Sequence, residues 1–202
     1  MQGVVGPNVH RTEKTPARLN PGLVGKIISS FPRAPNWHRF SCESLLRLES
    51  NQPGRTWSSL KSCAGQGGLY AFLFSGQFFK SPRQIILDGP GRRPIDFEFG
   101  GDALPTLADG NLVLYAGRTS NVLKRLQLHF SLATRNTGAQ VQYGLVKCGV
   151  ARDRATAVGL MLSHAKVVYT LLPGDENVAN RDIVEVGLWS KYMTPFNIKS
   201  ER

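Results

Sequence analysis

The sequence predicts an α+β fold: a small, three-stranded, mainly antiparallel sheet flanked by helices, preceded by an irregular basic N-terminal arm. Three observations predict it. Short apolar runs at residues 69–74 (LYAFLF), 111–116 (NLVLYA) and 166–172 (KVVYTLL) have the length and the aromatic and β-branched content of buried strands. Between and beyond them, a stretch from Thr119 or Ser120 to a stop at Asn136 and Gly138, residues 152–164 and residues 178–192 read as helices, the first with a clear apolar stripe. Before them, Pro7, Pro16, Pro21, Pro32, Pro35 and Pro53 interrupt a stretch with only short apolar patches.

The arm is expected over residues 1–63 and the folded domain over 64–202. Within the arm only Ser44 to Leu48, where Leu45, Leu46 and Leu48 cluster, suggests a brief helix. The first strand of the domain ends at Ser75-Gly76, and residues 80–110 repeat Gly, Pro and Asp around two minor strands, Ile85-Ile86-Leu87 and Phe97-Glu98-Phe99. The second strand should run antiparallel to the first and end at Gly117. Thr119 or Ser120 is placed to cap the helix that follows, whose stripe is Val122, Leu123, Leu126, Phe130 and Leu132, and Asn136 and Gly138 should stop it. Residues 140–149 fit a helix through Val141, Leu145 and Cys148, or a strand from Tyr143 to Val146, with the helix preferred. A helix over 152–164, the third strand, a Pro173-Gly174 turn and a last helix from Val178 to Tyr192, closed by Pro195, complete the reading.

With 25 Lys+Arg against 14 Asp+Glu the formal net charge is +11. Such a field favours polyanions, nucleic acid first and anionic membrane surface second, although solubility or ribosome contact can also select basic chains. Residues 1–63 carry nine of the cations and three of the acids, and Phe31, Trp37, Phe40 and Trp57 lie among Arg33, Arg39 and Arg55. This composition suits either a nucleic-acid-binding arm or a tail whose aromatic rings pack back on the domain. Cys42, Cys63 and Cys148 form neither a C-x-x-C pair nor a zinc spacing, which fits a reducing compartment. No apolar run approaches the length of a membrane span and residues 1–40 lack a recognisable secretory signal, so a cytoplasmic location is expected.

One set of residues makes chemical sense only together. Gly68-Leu69-Tyr70 opens the first strand, and Tyr115-Ala116-Gly117-Arg118 stands at the junction of second strand and helix. Arg125 lies ten residues after Tyr115, and His129 one helical turn further, so the two project together. Glu185 falls on the last helix, and Asn197 twelve residues on, past the Pro195 break. Two tyrosines, two arginines, a histidine and one carboxylate form a basic, phosphate-handling set with a single obvious metal ligand. Each residue has a plainer reading: core tyrosines, a surface cation at Arg125, a half-buried histidine, a solvated helix acid at Glu185.

On these motifs and spacings the chain resembles the GIY-YIG nucleases from Gly68 to Asn197. It departs from their pattern at Ala116, where isoleucine is usual, and in the long segments 76–111 and 140–172. The resemblance implies a magnesium- or manganese-dependent DNA endonuclease, a hydrolase leaving 5′-phosphate and 3′-hydroxyl ends. It casts Tyr70, Tyr115, Arg118, Arg125, His129, Glu185 and Asn197 as the catalytic set. Tyr70 would act on the attacking water with its phenol pKa lowered by arginine and metal, Tyr115 would support it, and Arg118 and Arg125 would hold the phosphate. His129 would transfer a proton or position water, Glu185 would bind Mg2+ or Mn2+, and Asn197 would anchor the end of the glutamate helix. Arg92, Arg93, Arg118, Lys124 and Arg125 are the expected DNA contacts, with no membrane partner and an oligomeric state left open. The alternative is a non-catalytic DNA- or RNA-binding module on the same fold.

Overall fold

The computed structural model describes residues 18–41, 57–78, 84–87, 94–96, 107–133, 139–147 and 149–197. Its strands are β1 (His38–Ser41), β2 (Gly68–Phe78), β3 (Gln84–Leu87), β4 (Pro94–Asp96), β5 (Leu107–Ala108), β6 (Asn111–Thr119) and β7 (Ala165–Leu171), and its α-helices are α1 (Pro21–Ser30), α2 (Val122–Phe130), α3 (Gln140–Lys147), α4 (Arg154–His164) and α5 (Val178–Tyr192). Among the described residues every strand pairing is antiparallel. The fold is α+β, as the sequence predicts, but the sheet is larger than three strands. β2 is its centre, flanked by β7 on one side and β6 on the other; β1 extends it beyond β7 and β5 beyond β6. The far end of β2, Gly76 to Phe78, pairs with β3, which pairs with β4. The extra strands escape a pattern reading because β5 spans two residues and β1 lies in the proline-rich arm.

β2 reads as an unbroken apolar run because both of its faces are covered. Tyr70, Phe72 and Phe74 enter a core shared with Val122 and Leu126 of α2, Val141 and Leu145 of α3, and Ala157 and Met161 of α4. Leu69, Ala71 and Leu73 enter a second core with Val24 and Ile27 of α1 and Val184 and Leu188 of α5. Three layers result, with helices on both faces of the sheet.

Residues 18–41 correct the expectation of an irregular arm. Asn20 caps α1 by accepting from the Leu23 backbone N–H at 3.0 Å, and Pro21 occupies the first helical turn, where its missing N–H costs nothing. Phe31 packs edge-on to Trp37, with ring centroids 4.8 Å apart, and Trp37 Nε1 donates to the Ile27 carbonyl at 3.0 Å. β1 then pairs with β7, His38 opposite Tyr169. The proline that suggests a breaker is a helix starter here. The expected helix at Ser44–Leu48 and the strand at Phe97–Phe99 lie outside the described residues. α2 stops before the expected Asn136 and Gly138: it ends at Phe130, where the Ser131 N–H donates to the Leu128 carbonyl, and Leu132 is exposed beyond it. α2 is capped by Asn121 instead of Thr119 or Ser120, its side chain accepting from the Lys124 backbone N–H at 3.0 Å.

Candidate functional site

The site is organised around β6. A bulge sets Phe72 opposite Tyr115 but Leu73 opposite Val113, leaving Leu114 as an extra residue. Leu114 and Tyr115 therefore both face the core beneath α2, where Tyr115 meets Tyr70 at 5.9 Å between ring centroids. Gly117 pairs with Tyr70 and must lack a side chain: a Cβ there would lie 2.7 Å from the Tyr70 hydroxyl and 2.7 Å from the Tyr115 ring. The glycine of the second motif is thus the space into which the two tyrosines close.

Helix α2 brings Arg125 and His129 to the same point. Arg125 Nε donates to the Tyr70 hydroxyl oxygen at 3.0 Å, and His129 Nε2 lies 2.8 Å from that oxygen. Tyr115 also hydrogen-bonds Tyr70 and Arg125. Tyr70 and His129 are both 0% exposed. Burial, reinforced by Arg125, depresses the His129 pKa to about 3, so the ring is neutral. Among the described residues its Nδ1 has no hydrogen-bond partner. A buried unpaired N–H costs more than an unpaired lone pair, so the ring proton belongs on Nε2, and the Tyr70 oxygen faces two N–H donors.

Two expectations change here. Burial raises the Tyr70 pKa well above the usual phenol value, helped by Tyr115; Arg125 lowers it as expected but is outweighed. His129 is more deeply buried than the half-buried position expected, and its Nε2 touches the Tyr70 hydroxyl.

Arg118 pairs with Leu69 in the ladder, on the face covered by α5, so it does not join Arg125 on the Tyr70 face. Its Nε lies 2.6 Å from Asp182 Oδ1 and 3.3 Å from Glu185 Oε2. The Glu185 side chain is 27% exposed, at the edge of the buried face of α5 and not fully solvated. Asp182 is an addition to the residues expected from sequence; its sequence signal is a D-x-x-E spacing, which sets two carboxylates on one helical face. The pair suits a hard divalent ion such as Mg2+ or Mn2+, since it offers anionic oxygen and already faces a cation, the Arg118 guanidinium. No group of three or more His, Cys, Asp or Glu side chains that could hold a metal ion occurs among the described residues.

α5 ends at Tyr192 with Met193 as its left-handed C-cap, and Asn197 folds back on β6. Its Nδ2 donates to the Ala116 carbonyl at 2.6 Å, its Oδ1 accepts from the Ala116 N–H at 3.0 Å, and the Phe196 N–H donates to the Leu114 carbonyl at 3.0 Å. Asn197 is thereby a backbone clamp that fixes the end of α5 against the strand carrying Tyr115. Lys124 is exposed on α2, and Arg92 and Arg93 lie outside the described residues. Among the described residues no helix is long and apolar enough to cross a membrane. Comparisons with protein-family models, with curated proteins and with solved structures give no match.

Proposed function

We propose that this chain is a metal-dependent DNA endonuclease of the GIY-YIG kind, hydrolysing a phosphodiester by water attack at the end of β6. The observation that carries the reading is the Tyr70 oxygen held by Arg125 Nε and His129 Nε2, both from the helix that follows the second tyrosine motif. Two N–H donors on one phenol oxygen stabilise a phenolate, the form that accepts a proton from water. Half-buried Arg125 joins that oxygen to the surface, where a phosphate would meet a guanidinium suited to paired acceptors. Glu185 and Asp182 would hold one divalent ion, which when bound polarises the phosphate and offsets charge on the leaving oxygen. Arg118, in contact with both carboxylates, is placed to turn from them to the DNA backbone. The net charge of +11 favours a polyanionic substrate.

The complete burial of Tyr70 and His129, with the phenol pKa raised, favours a second reading: a DNA- or RNA-binding module with a retired centre. Supercoiled plasmid separates the two. Nicking with Mg2+ that stops with EDTA and is lost in Glu185→Ala, while DNA binding persists, supports the nuclease. DNA retention without nicking in Mg2+ or Mn2+ supports the module.

A further inference from the structure

We propose that Gln142 is a positioning residue of the candidate site, fixing through its side-chain amide the last turn of α2 and with it the His129 ring against the Tyr70 hydroxyl. The proposal rests on the reading in which Tyr70, Arg125 and His129 form the reacting centre. A helix leaves its last carbonyls without intrahelical partners. At the end of α2 the Leu128 carbonyl accepts from the Ser131 N–H at 3.3 Å, and the His129 carbonyl accepts from Gln142 Nε2 at 2.7 Å. The Ser131 carbonyl accepts from Gln142 Nε2 and from Arg154 Nη2, each at 3.2 Å.

Gln142 is 0% exposed, so its amide must find partners inside the protein. Arg154 Nε donates to Gln142 Oε1 at 2.7 Å. This fixes the orientation of the amide, because a flipped group would set its NH2 against the guanidinium and its oxygen against two carbonyls. Arg154 is the first residue of α4, where the dipole of its own helix disfavours a cation. The carbonyl end of α2 favours one. Arg154 therefore serves the neighbouring helix, and Gln142 is the link between them.

α3 is gripped from its other side as well. A Cβ on Gly144 would lie 2.5 Å from the Phe196 ring, so the missing side chain is the seat of that ring. Phe196 and Asn197 are in turn bonded to Leu114 and Ala116. α3 thus ties the end of α2 to the strand segment that carries Tyr115.

Gln142→Met in the full chain keeps the volume and removes both amide functions. Two readouts test it: the NMR titration of His129, and single-turnover cleavage of plasmid with Mg2+ beside equilibrium DNA binding. In the parent His129 is faced by Arg125 from its own helix, Tyr70 from β2 and Tyr115 from β6, and stays neutral down to about pH 3. In the variant its titration should move up by about one unit or more as water reaches the ring. Cleavage should fall about tenfold or more with DNA affinity held within about twofold. Arg154→Lys, at a half-buried position, should move both readouts the same way by less, and decides the matter if Gln142→Met does not fold. A folded variant with the His129 titration unchanged overturns the proposal. A shifted His129 in a protein whose parent never cuts DNA supports the clamp and refutes the nuclease reading instead.

Discussion

His129 should make this protein acid-sensitive well before its carboxylates titrate. The ring is fully buried, with a pKa depressed to about 3, whereas an unfolded chain titrates at its ordinary value of about 6.5. Below about pH 6.5 the unfolded state binds a proton that the folded state refuses, so stability falls as pH falls. The effect is fully absent above the unfolded pKa and grows until the folded pKa is reached. From about pH 7.5 to about pH 5 the linkage amounts to about 2 kcal/mol, with a limiting slope of about 1.4 kcal/mol per pH unit. Asp109 and Asp153, both with lowered pKa values, act the same way only at more acid pH, where an unfolded carboxylate takes up its proton. Urea unfolding of the parent and of His129→Gln across that window isolates the histidine. Glutamine cannot ionise but can still donate to the Tyr70 oxygen, so the variant should lose about 2 kcal/mol less than the parent over the same range. Parallel curves for the two proteins would show that His129 titrates normally, and that water reaches the buried ring.

Three further outcomes follow from the geometry. Arg125→Lys keeps the charge but not the Nε–H bonded to Tyr70, so DNA affinity should hold while single-turnover cleavage falls on the order of a hundredfold; a near-parental rate would reduce Arg125 to a surface cation. Gly117→Ala places a methyl group 2.7 Å from the Tyr70 hydroxyl and should cost about 1–3 kcal/mol in urea unfolding, with the Tyr70 and His129 NMR signals displaced. Asn197→Ala strips both partners from the Ala116 peptide and should cost about 1–3 kcal/mol, and hydrogen exchange at Ala116 should speed up accordingly.

The central strands and the helices of the domain were legible because their signals are local. Glycine bounds the apolar runs, and the stripe of α2 survives in any context. Proline density in the arm suggests irregular chain, yet Pro21 follows an asparagine cap and precedes Val24 and Ile27, three residues apart and both buried. Asp182 went unnoticed because one carboxylate satisfied the motif and its neighbour was not asked for. Gln142 and Arg154 carry no sequence signal at all. Their role depends on where two helices deliver them, twelve residues apart in sequence, against the end of a third. The raised Tyr70 pKa was equally out of reach, since a motif names the arginine beside the phenol but not the packing that outweighs it.

The bulge in β6 explains why the tyrosines meet at all. Strict alternation along Asn111–Thr119 would send Leu112 and Leu114 to one face and Val113 and Tyr115 to the other. Tyr115 would then lie in the core beneath α5 with Leu69, across the sheet from Tyr70, and Arg118 would lie beneath α2. The extra residue at Leu114 reverses that parity for everything downstream. Tyr115 and Gly117 turn to Tyr70, Arg125 and His129, while Ala116 and Arg118 turn to α5, where Glu185 and Asp182 wait. The cost of the bulge is a strand edge with irregular hydrogen bonding. The Phe196 N–H and the Asn197 side chain close that edge at Leu114 and Ala116, on either side of Tyr115. The residues that follow α5 therefore complete the irregular strand, and this gives Asn197 a physical reason to stand twelve positions beyond the glutamate.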